Sequence, residues 1–434
     1  MSLPNLNIPD TNSKRIVILG AGFAGLNLAK KLRRTDFQVV LIDRLNFHQF
    51  QPLFYQVAMA GLEPSAIAFP IRKVFHHSPN VFVRKAEVQQ VLESDNKVIT
   101  NNGEISYDIL VICLGAETNF FGNKQLEEYS FSLKSLGQSL GIRNQIFLDF
   151  ERSMYEVEYY NRQSFVDFVI VGGGPTGVEM AGSLVELKRY VIAKDYPELD
   201  HDEIDVYLVQ SGNRLLPGMS EKSGRKAEIY LRKMGVNVVL NERVTDYDGQ
   251  YAYLKSGRKI KTNKLIWAAG VKCPVVPGLE KFYGEETRRL SIDHHCRVLN
   301  TRNIFAIGDI AGMVTAEYPR GHPQVAQVGI QMANYLAKML KTPADAQEKY
   351  KPFVYKNKGV LATIGRNKAV ADFPRFSIAG IGAWIIWLWV HLFSLIGVRN
   401  KLLVVLNWMW NYFTFDSSLR LIIHQQNRND KVGL

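Results

Sequence analysis

Glycines 20, 22 and 25, and again glycines 172, 174 and 177, repeat the spacing G-x-G-x-x-G within one chain of 434 residues. That spacing handles phosphate without any charged side chain. The first glycine permits a tight turn, the second lets a pyrophosphate come down onto the backbone, and the third lets a helix pack on a strand. The helix N-terminus then offers N–H groups and partial positive charge to the phosphates. Such a turn needs a strand before it and a helix after it, and both copies are placed to have them. Gly20-Ala21-Gly22-Phe23-Ala24-Gly25 follows the apolar run Arg15-Ile16-Val17-Ile18-Leu19, and Gly172-Gly173-Gly174-Pro175-Thr176-Gly177 follows Asp167-Phe168-Val169-Ile170-Val171. Two dinucleotides on one protein is the arrangement that electron transfer between a nicotinamide and a flavin requires.

Further polar candidates stand at fixed distances from these turns. Asp43 closes a predicted strand over 38–43, 18 residues beyond Gly25. That spacing suits a carboxylate on an adenosine ribose. In the second unit the corresponding strand, 205–210, ends 33 residues beyond Gly177 in Gln210, a neutral amide at the acid position. The longer gap reads as a lengthened helix and an acidic loop over 178–204. The run Asn303-Ile304-Phe305-Ala306-Ile307-Gly308-Asp309 reads as a strand that can place a carboxylate near a flavin's ribityl chain or phosphate. A helix predicted over 323–340 would carry Gln324, Gln327 and Gln331 on one face. Cysteines 113, 273 and 296 form no disulfide framework, no C-x-x-C or C-x-x-x-x-C pair and no metal-type spacing. They read as idle thiols, which disfavours a disulfide reductase, since that class needs a redox-active pair.

The elements that would position these residues form an α/β chain with two Rossmann-type dinucleotide-binding domains and a C-terminal helical segment. Strands are predicted at 81–84, 97–100 and 109–114, with 45–64 read as loop. The second nucleotide domain begins near 164 and closes at Leu265-Ile266-Trp267-Ala268-Ala269-Gly270. The expected division is therefore a discontinuous first domain, 1–163 and 273–350, interrupted by a second, 164–272, and followed by a membrane-association region, 351–434.

Charge points the same way. The net charge is +12, and residues 351–434 hold 11 Lys+Arg against 3 Asp, together with five of the six tryptophans (384, 387, 389, 408, 410). Tryptophan beside Lys and Arg is the composition of a membrane interface. The long apolar runs between the charges argue against nucleic acid. The stretch 376–398 has no formal charge and as a helix would be long enough to span a bilayer. Its tryptophans are spread along it rather than gathered at the ends, which fits a helix lying in the membrane plane better. The first 14 residues show no apolar or Arg-rich leader.

These residues resemble the type II NADH:quinone oxidoreductases, the alternative, non-pumping NADH dehydrogenases of respiratory chains. The likeness runs from about residue 15 to about 423. The nucleotide motifs are common to a whole superfamily. Lys358-Gly359-Val360-Leu361-Ala362-Thr363-Ile364-Gly365 also fits; more specific are Asn46-Phe47-His48-Gln49-Phe50-Gln51-Pro52-Leu53-Phe54-Tyr55-Gln56-Val57-Ala58, Ala326-Gln327-Val328-Gly329-Ile330-Gln331, Trp387-Leu388-Trp389-Val390-His391-Leu392 and Val398-Arg399-Asn400-Lys401-Leu402.

The resemblance implies non-covalent FAD on the first unit, held by Gly20, Gly22, Phe23, Ala24 and Gly25, with Asp43 on the ribose, Asp309 near the ribityl chain, and Ala58, Gly308 and Gln327 beside the cofactor. It implies NADH on the second, held by Gly172, Gly174, Pro175, Thr176, Gly177, Gln210, Ala269 and Gly270. Gln327 and Gln331 correspond to the family's quinone motif, with Gly329 where Ala is usual. Glu179 matches the acid linked to the nicotinamide–flavin–quinone junction and to proton supply, and Lys358 matches a position on the quinone side. A membrane quinone (ubiquinone or menaquinone), lipid contact through amphipathic helices that do not span, a homodimer and the cytoplasmic face of a prokaryotic inner membrane complete what it implies. Relatives usually have Glu at position 210; Gln210 removes the charge that would repel the extra phosphate of NADPH. The rivals are a sulfide:quinone oxidoreductase, which would need cysteines at the flavin, and a flavin-containing binding protein of the apoptosis-inducing-factor kind.

Overall fold

The apolar runs that precede the two glycine turns become the central strands of two parallel sheets. A computed structural model describes residues 5–416 and 419–423, apart from 344, 345, 347 and 348. Arg428, Asp430 and Lys431 of the basic C-terminal stretch lie outside the described residues. In the first sheet Arg15–Leu19 pairs with Gln38–Asp43 on one side and Ile109–Ile112 on the other, and Val81–Lys85 and Ile304–Ala306 form the edges. In the second, Phe168–Val171 lies between Val206–Val209 and Leu265–Trp267, with Asn237–Val239 and Phe131–Ser132 at the edges. Both sheets are wholly parallel, and Ile16 to Leu19 and Val169 to Ile170 are completely buried. This is why these strands read as unbroken apolar runs rather than alternating ones.

Two units emerge. One is Met1–Gln49, Ala68–Glu117 and Val271–Lys358; the other is Phe50–Ile67, Thr118–Gly270 and Gly359–Leu434. This differs from the division expected from the sequence at 50–67, 118–163, 271–272, 351–358 and from 359 onward. Residues 50–67 and 118–163 belong with the second glycine turn because the Phe54–Ala58 helix packs on the Leu136–Ser153 helix. Residues from 359 onward join the same unit because the strand Val360–Gly365 packs on the Pro175–Leu187 helix.

Several local expectations change. The segment 45–64 is built rather than loop, with Phe47–Gln49 as strand, a 3-10 turn at Gln51–Leu53 and a helix at Phe54–Ala58. The stretch 376–398 is broken by Gly380 and Gly397, both at positive φ, into the strand Ser377–Ala379 and the helix Ile381–Ser394, and a second helix runs Val398–Thr414. Fourteen residues reach only about 21 Å. Among the described residues no helix is long and apolar enough to cross a membrane.

Candidate functional site

In the first unit the glycine turn is built around absent side chains. Gly20 has φ +96°, and a Cβ there would lie 2.5 Å from the Cys113 carbonyl oxygen; a Cβ on Gly25 would land on the carbonyl of Gly20. Gly22 differs, because a Cβ there would meet nothing within 4 Å. The space above Gly22 is open, while the Phe23–Leu32 helix that starts there has no side-chain cap on its first N–H groups. Glycines 20 and 25 serve packing, and glycine 22 keeps a path to the backbone clear for a pyrophosphate. Asp43 braces the turn by accepting from the Ala21 N–H at 2.6 Å and from the Leu45 N–H at 2.7 Å. Burial raises its carboxyl above the ordinary range, and those two N–H groups partly offset the rise. Buried His48 meets the Ala21 carbonyl through Nδ1 at 2.9 Å and the Phe23 ring edge-on at 5.3 Å.

The end of the Ile304–Ala306 strand comes close to the same turn. A Cβ on Gly308 would lie 3.2 Å from the Ala24 Cβ, and one on Gly329 would lie 3.3 Å from it. Gly329 therefore admits a closer approach of the Phe23–Leu32 and Ala326–Leu340 helices than alanine would. Asp309 is half-buried, and its carbonyl accepts from Cys273 Sγ at 3.1 Å and Gln324 Nε2 at 3.3 Å.

The glutamines are placed differently from expectation. The helix begins at Ala326, not 323, so Gln324 precedes it. Gln331 spends both ends of its amide on one backbone residue: Nε2 donates to the Lys356 carbonyl at 2.9 Å, and Oε1 accepts the Lys356 N–H at 3.0 Å. Gln327 Oε1 accepts the Lys358 N–H at 3.2 Å. Together they hold residues 356–358 along the helix, with the Lys358 side chain exposed.

The second unit repeats the cradle. Gly172 has φ +108° and abuts Ala268, a Cβ on Gly177 would strike the Gly172 carbonyl, and Gly174 again faces open space. Pro175 occupies the first helical turn, where its missing N–H costs nothing; Thr176 is exposed. Gln210 Oε1 accepts the Gly173 N–H at 2.8 Å. Trp267 Nε1 donates to the Asn119 carbonyl at 2.9 Å, holding the segment that leads to half-buried Ala269 and exposed Gly270. Ala58 also lies in this unit and is fully buried, with no surface left for a ligand.

Glu179 sits in the second turn of the Pro175–Leu187 helix, with no acid in the first turn. Stabilisation by the helix dipole falls off beyond the first turn, so burial governs it. Burial pushes its carboxyl up to about 8, and the Thr363 amide and the Trp387 indole lower it only in part. The Thr363 N–H reaches Oε1 at 3.4 Å. Trp387 is buried, stacks on His391 at 4.0 Å, and lies 5.9 Å from Trp408 and 6.5 Å from Tyr55, centroid to centroid. Gln56 ties this group together: Nε2 donates to the Tyr55 hydroxyl at 2.9 Å, and Oε1 accepts from Trp408 Nε1 at 2.8 Å. Asn411 Nδ2 donates to the Gly61 carbonyl at 2.7 Å, fastening the last helix to the same segment. Sequence reading assigns Tyr55, Gln56 and His391 no role of their own, and it places Trp387 and Trp408 at a membrane interface, whereas Trp387 is buried in the fold. All but Trp408 lie in the motif blocks, but nothing local signals that residues about 350 positions apart share one cluster.

Cysteines 113, 273 and 296 are free and buried, and burial raises all three thiols. A sulfide oxidoreductase needs the opposite, a thiol whose charge is favoured.

Two family models match. One, described as pyridine nucleotide-disulphide oxidoreductase, covers residues 14–333, and the other, described as NDH2 C-terminal domain, covers residues 357–414. The chain is 35% identical over 410 residues to the type II NADH:quinone oxidoreductase NdhA of Mycobacterium tuberculosis, spanning 91% of this chain and 86% of that protein. It is 33% identical over 433 residues to the type II NADH:quinone oxidoreductase Ndh of the same organism, spanning 95% and 91%. Among solved structures, NDH2 from Plasmodium falciparum in complex with NADH superposes with a TM-score of 0.87 at 21% identity, covering 95% of this chain and 100% of that one.

Proposed function

The chain belongs to the type II NADH:quinone oxidoreductases, and from that premise we propose how its residues divide the work. The activity is oxidation of NADH through a flavin, with two electrons passed to a quinone and no protons pumped. We take the flavin to be non-covalent FAD on the first glycine turn. When bound, it supplies the two-electron store between nicotinamide and quinone. Gly22 leaves its pyrophosphate a path to the backbone, and Asp43 fixes the turn that receives it. Gly174 does the same for the nicotinamide dinucleotide, and Gln210 leaves NADPH as well as NADH acceptable.

Glu179, neutral at pH 7 because it is buried, is read as the proton donor to the reduced quinone. Gln327 and Gln331 set residues 356–358, and hence Lys358, on the quinone side. The helices Ile381–Ser394 and Val398–Thr414 leave Trp389, Phe393, Leu406, Trp410 and Phe413 exposed. A row of exposed aromatic and aliphatic side chains on helices too short to span fits an in-plane anchor on lipid. The quinone would be ubiquinone or menaquinone, drawn from the cytoplasmic face of a prokaryotic inner membrane by a homodimer.

The observation that carries this reading is the pair of open glycine cradles on one chain. It is tested by releasing the flavin. Heat or acid should free one FAD per chain and leave none attached; FMN, or flavin that stays on the protein, would overturn the assignment.

A further inference from the structure

Glu179 is not the only acid that the Pro175–Leu187 helix turns toward the strand Val360–Gly365. Glu186 lies seven residues on, two turns along the same face, or about 10 Å along the axis. Its Oε1 accepts the Arg366 N–H at 2.6 Å, as Glu179 Oε1 takes that of Thr363. Helix and strand meet between the two acids, where a Cβ on Gly182 would strike the Ile364 carbonyl. Gly365 makes room for the outer one, since a Cβ there would come within 2.8 Å of Glu186 Oε1. Ser183 occupies the same face between them. The buried Tyr55 phenol feels the charge of both carboxylates.

The surroundings of the two acids differ. Glu179 is buried, and among the described residues no cation shifts its carboxyl. Glu186 is half-buried; burial raises its carboxyl, against the Arg366 amide and the charges of Arg366, Lys368 and Arg189. Arg366 is itself held by the Asn411 and Tyr412 carbonyls and by the Phe415 ring at 3.8 Å. Trp387, with His391 stacked on it, stands at the inner end, where its indole acts on Glu179. One face of one helix thus runs from a partly exposed glutamate that feels the charges of Arg366, Lys368 and Arg189 to a glutamate buried beside Trp387.

We propose that Glu186 is the outer station of a proton relay that recharges Glu179 between turnovers, along the helix face that carries Ser183 and lies under Tyr55. This rests on the reading of Glu179 as proton donor. In each cycle the quinone takes two electrons and one proton that both came from the NADH hydride, and the Glu179 carboxyl gives the second proton to a quinone oxygen, leaving Glu179 as carboxylate. Glu186 passes its proton inward through the intervening hydroxyls and takes one from water. Only O–H bonds are broken and formed, and NADH and quinone remain the sole reductant and oxidant. Glu186 touches no reacting atom and acts through Glu179.

The test uses the flavin-loaded full chain, NADH and a soluble short-chain quinone. Gln at 186 can still accept the Arg366 N–H, so Glu186→Gln should fold and be reduced by NADH at the wild-type rate. Its quinone turnover should fall on the order of tenfold at pH 8 and less at pH 6, with a larger solvent deuterium isotope effect. Azide or formate, small weak acids, should restore it. A wild-type pH profile and isotope effect in Glu186→Gln would overturn the relay, and so would a slow variant that no weak acid restores. If Glu179→Gln leaves turnover unchanged, the donor reading itself falls; if Glu179→Gln is slow and Glu186→Gln is not, only the relay falls.

Discussion

Gln210 accepts the Gly173 N–H through Oε1 at 2.8 Å, so the residue proposed to choose the nucleotide also holds the second glycine turn. Asp43 does the same for Ala21 at 2.6 Å in the other unit. With its oxygen committed, Gln210 turns Nε2, a donor, toward Gly212. A glutamate could keep the bond to Gly173 and offer a second, anionic oxygen to a ribose hydroxyl, repelling a 2′-phosphate.

The chain should therefore oxidise NADPH measurably, and Gln210→Glu should suppress NADPH selectively. A like-charge clash of about 1–3 kcal/mol corresponds to roughly tenfold to hundredfold. The comparison is kcat/KM for both nucleotides in both proteins. An unchanged NADPH-to-NADH ratio would remove position 210 from the choice.

The open glycines separate binding from folding. Gly174→Ala adds a methyl that touches no protein atom, so it should keep its flavin and its Tm while the KM for NADH rises about tenfold or more, equivalent to about 1.4 kcal/mol. Gly22→Ala should fold but purify with little flavin. Gly25→Ala should fail to fold, because its methyl would fall on the Gly20 carbonyl. Equal losses of Tm in all three, measured by thermal denaturation, would refute the division.

Glu179 makes stability depend on pH. Its carboxyl titrates near 8 in the native chain and near 4.5 when unfolded, so across that window the native state binds more protons. The stability this group allows is full below about pH 4.5 and falls as pH rises toward 8. Glu179→Gln should keep its flavin and turn over quinone more slowly at pH 7. Its Tm should exceed that of the wild type by more at pH 9 than at pH 6. A Tm difference that does not change with pH would mean the carboxyl is not perturbed.

Gln331 clamps Lys356 from both sides, so its loss should act through residues 356–358. Gln331→Leu removes two hydrogen bonds, each worth about 1 kcal/mol, and should lower Tm by a few degrees while raising the quinone KM. Flavin reduction by NADH, followed by stopped-flow absorbance, should stay within about twofold. Comparable damage to both half-reactions would detach the clamp from the quinone side.

How far the sequence reached follows from range. The glycine turns and their strands were readable because strand, turn and helix are contiguous and each glycine answers a local steric demand. Gln331 was readable as a face residue but not as a clamp, since Lys356 lies 25 positions away. Trp387 showed only as part of a Trp-rich stretch; its burial near Glu179, more than 200 residues earlier, depends on the Val360–Gly365 hairpin docking on the Pro175–Leu187 helix. The same docking makes the C-terminal segment part of a fold rather than a detachable tail. Membrane binding is therefore better tested by replacing exposed Trp389, Phe393, Trp410 and Phe413 with Ser or Gln than by truncation. Those variants should lose flotation with liposomes while keeping NADH-dependent dye reduction.

The central claim is electron flow from NADH through the flavin to quinone on this chain. Rapid mixing of the oxidised protein with NADH under anaerobic conditions should bleach the flavin absorbance. A second mix with a short-chain quinone should restore it fast enough to account for steady-state turnover. A flavin that NADH does not bleach, or that quinone leaves reduced while only oxygen restores its colour, would contradict the account.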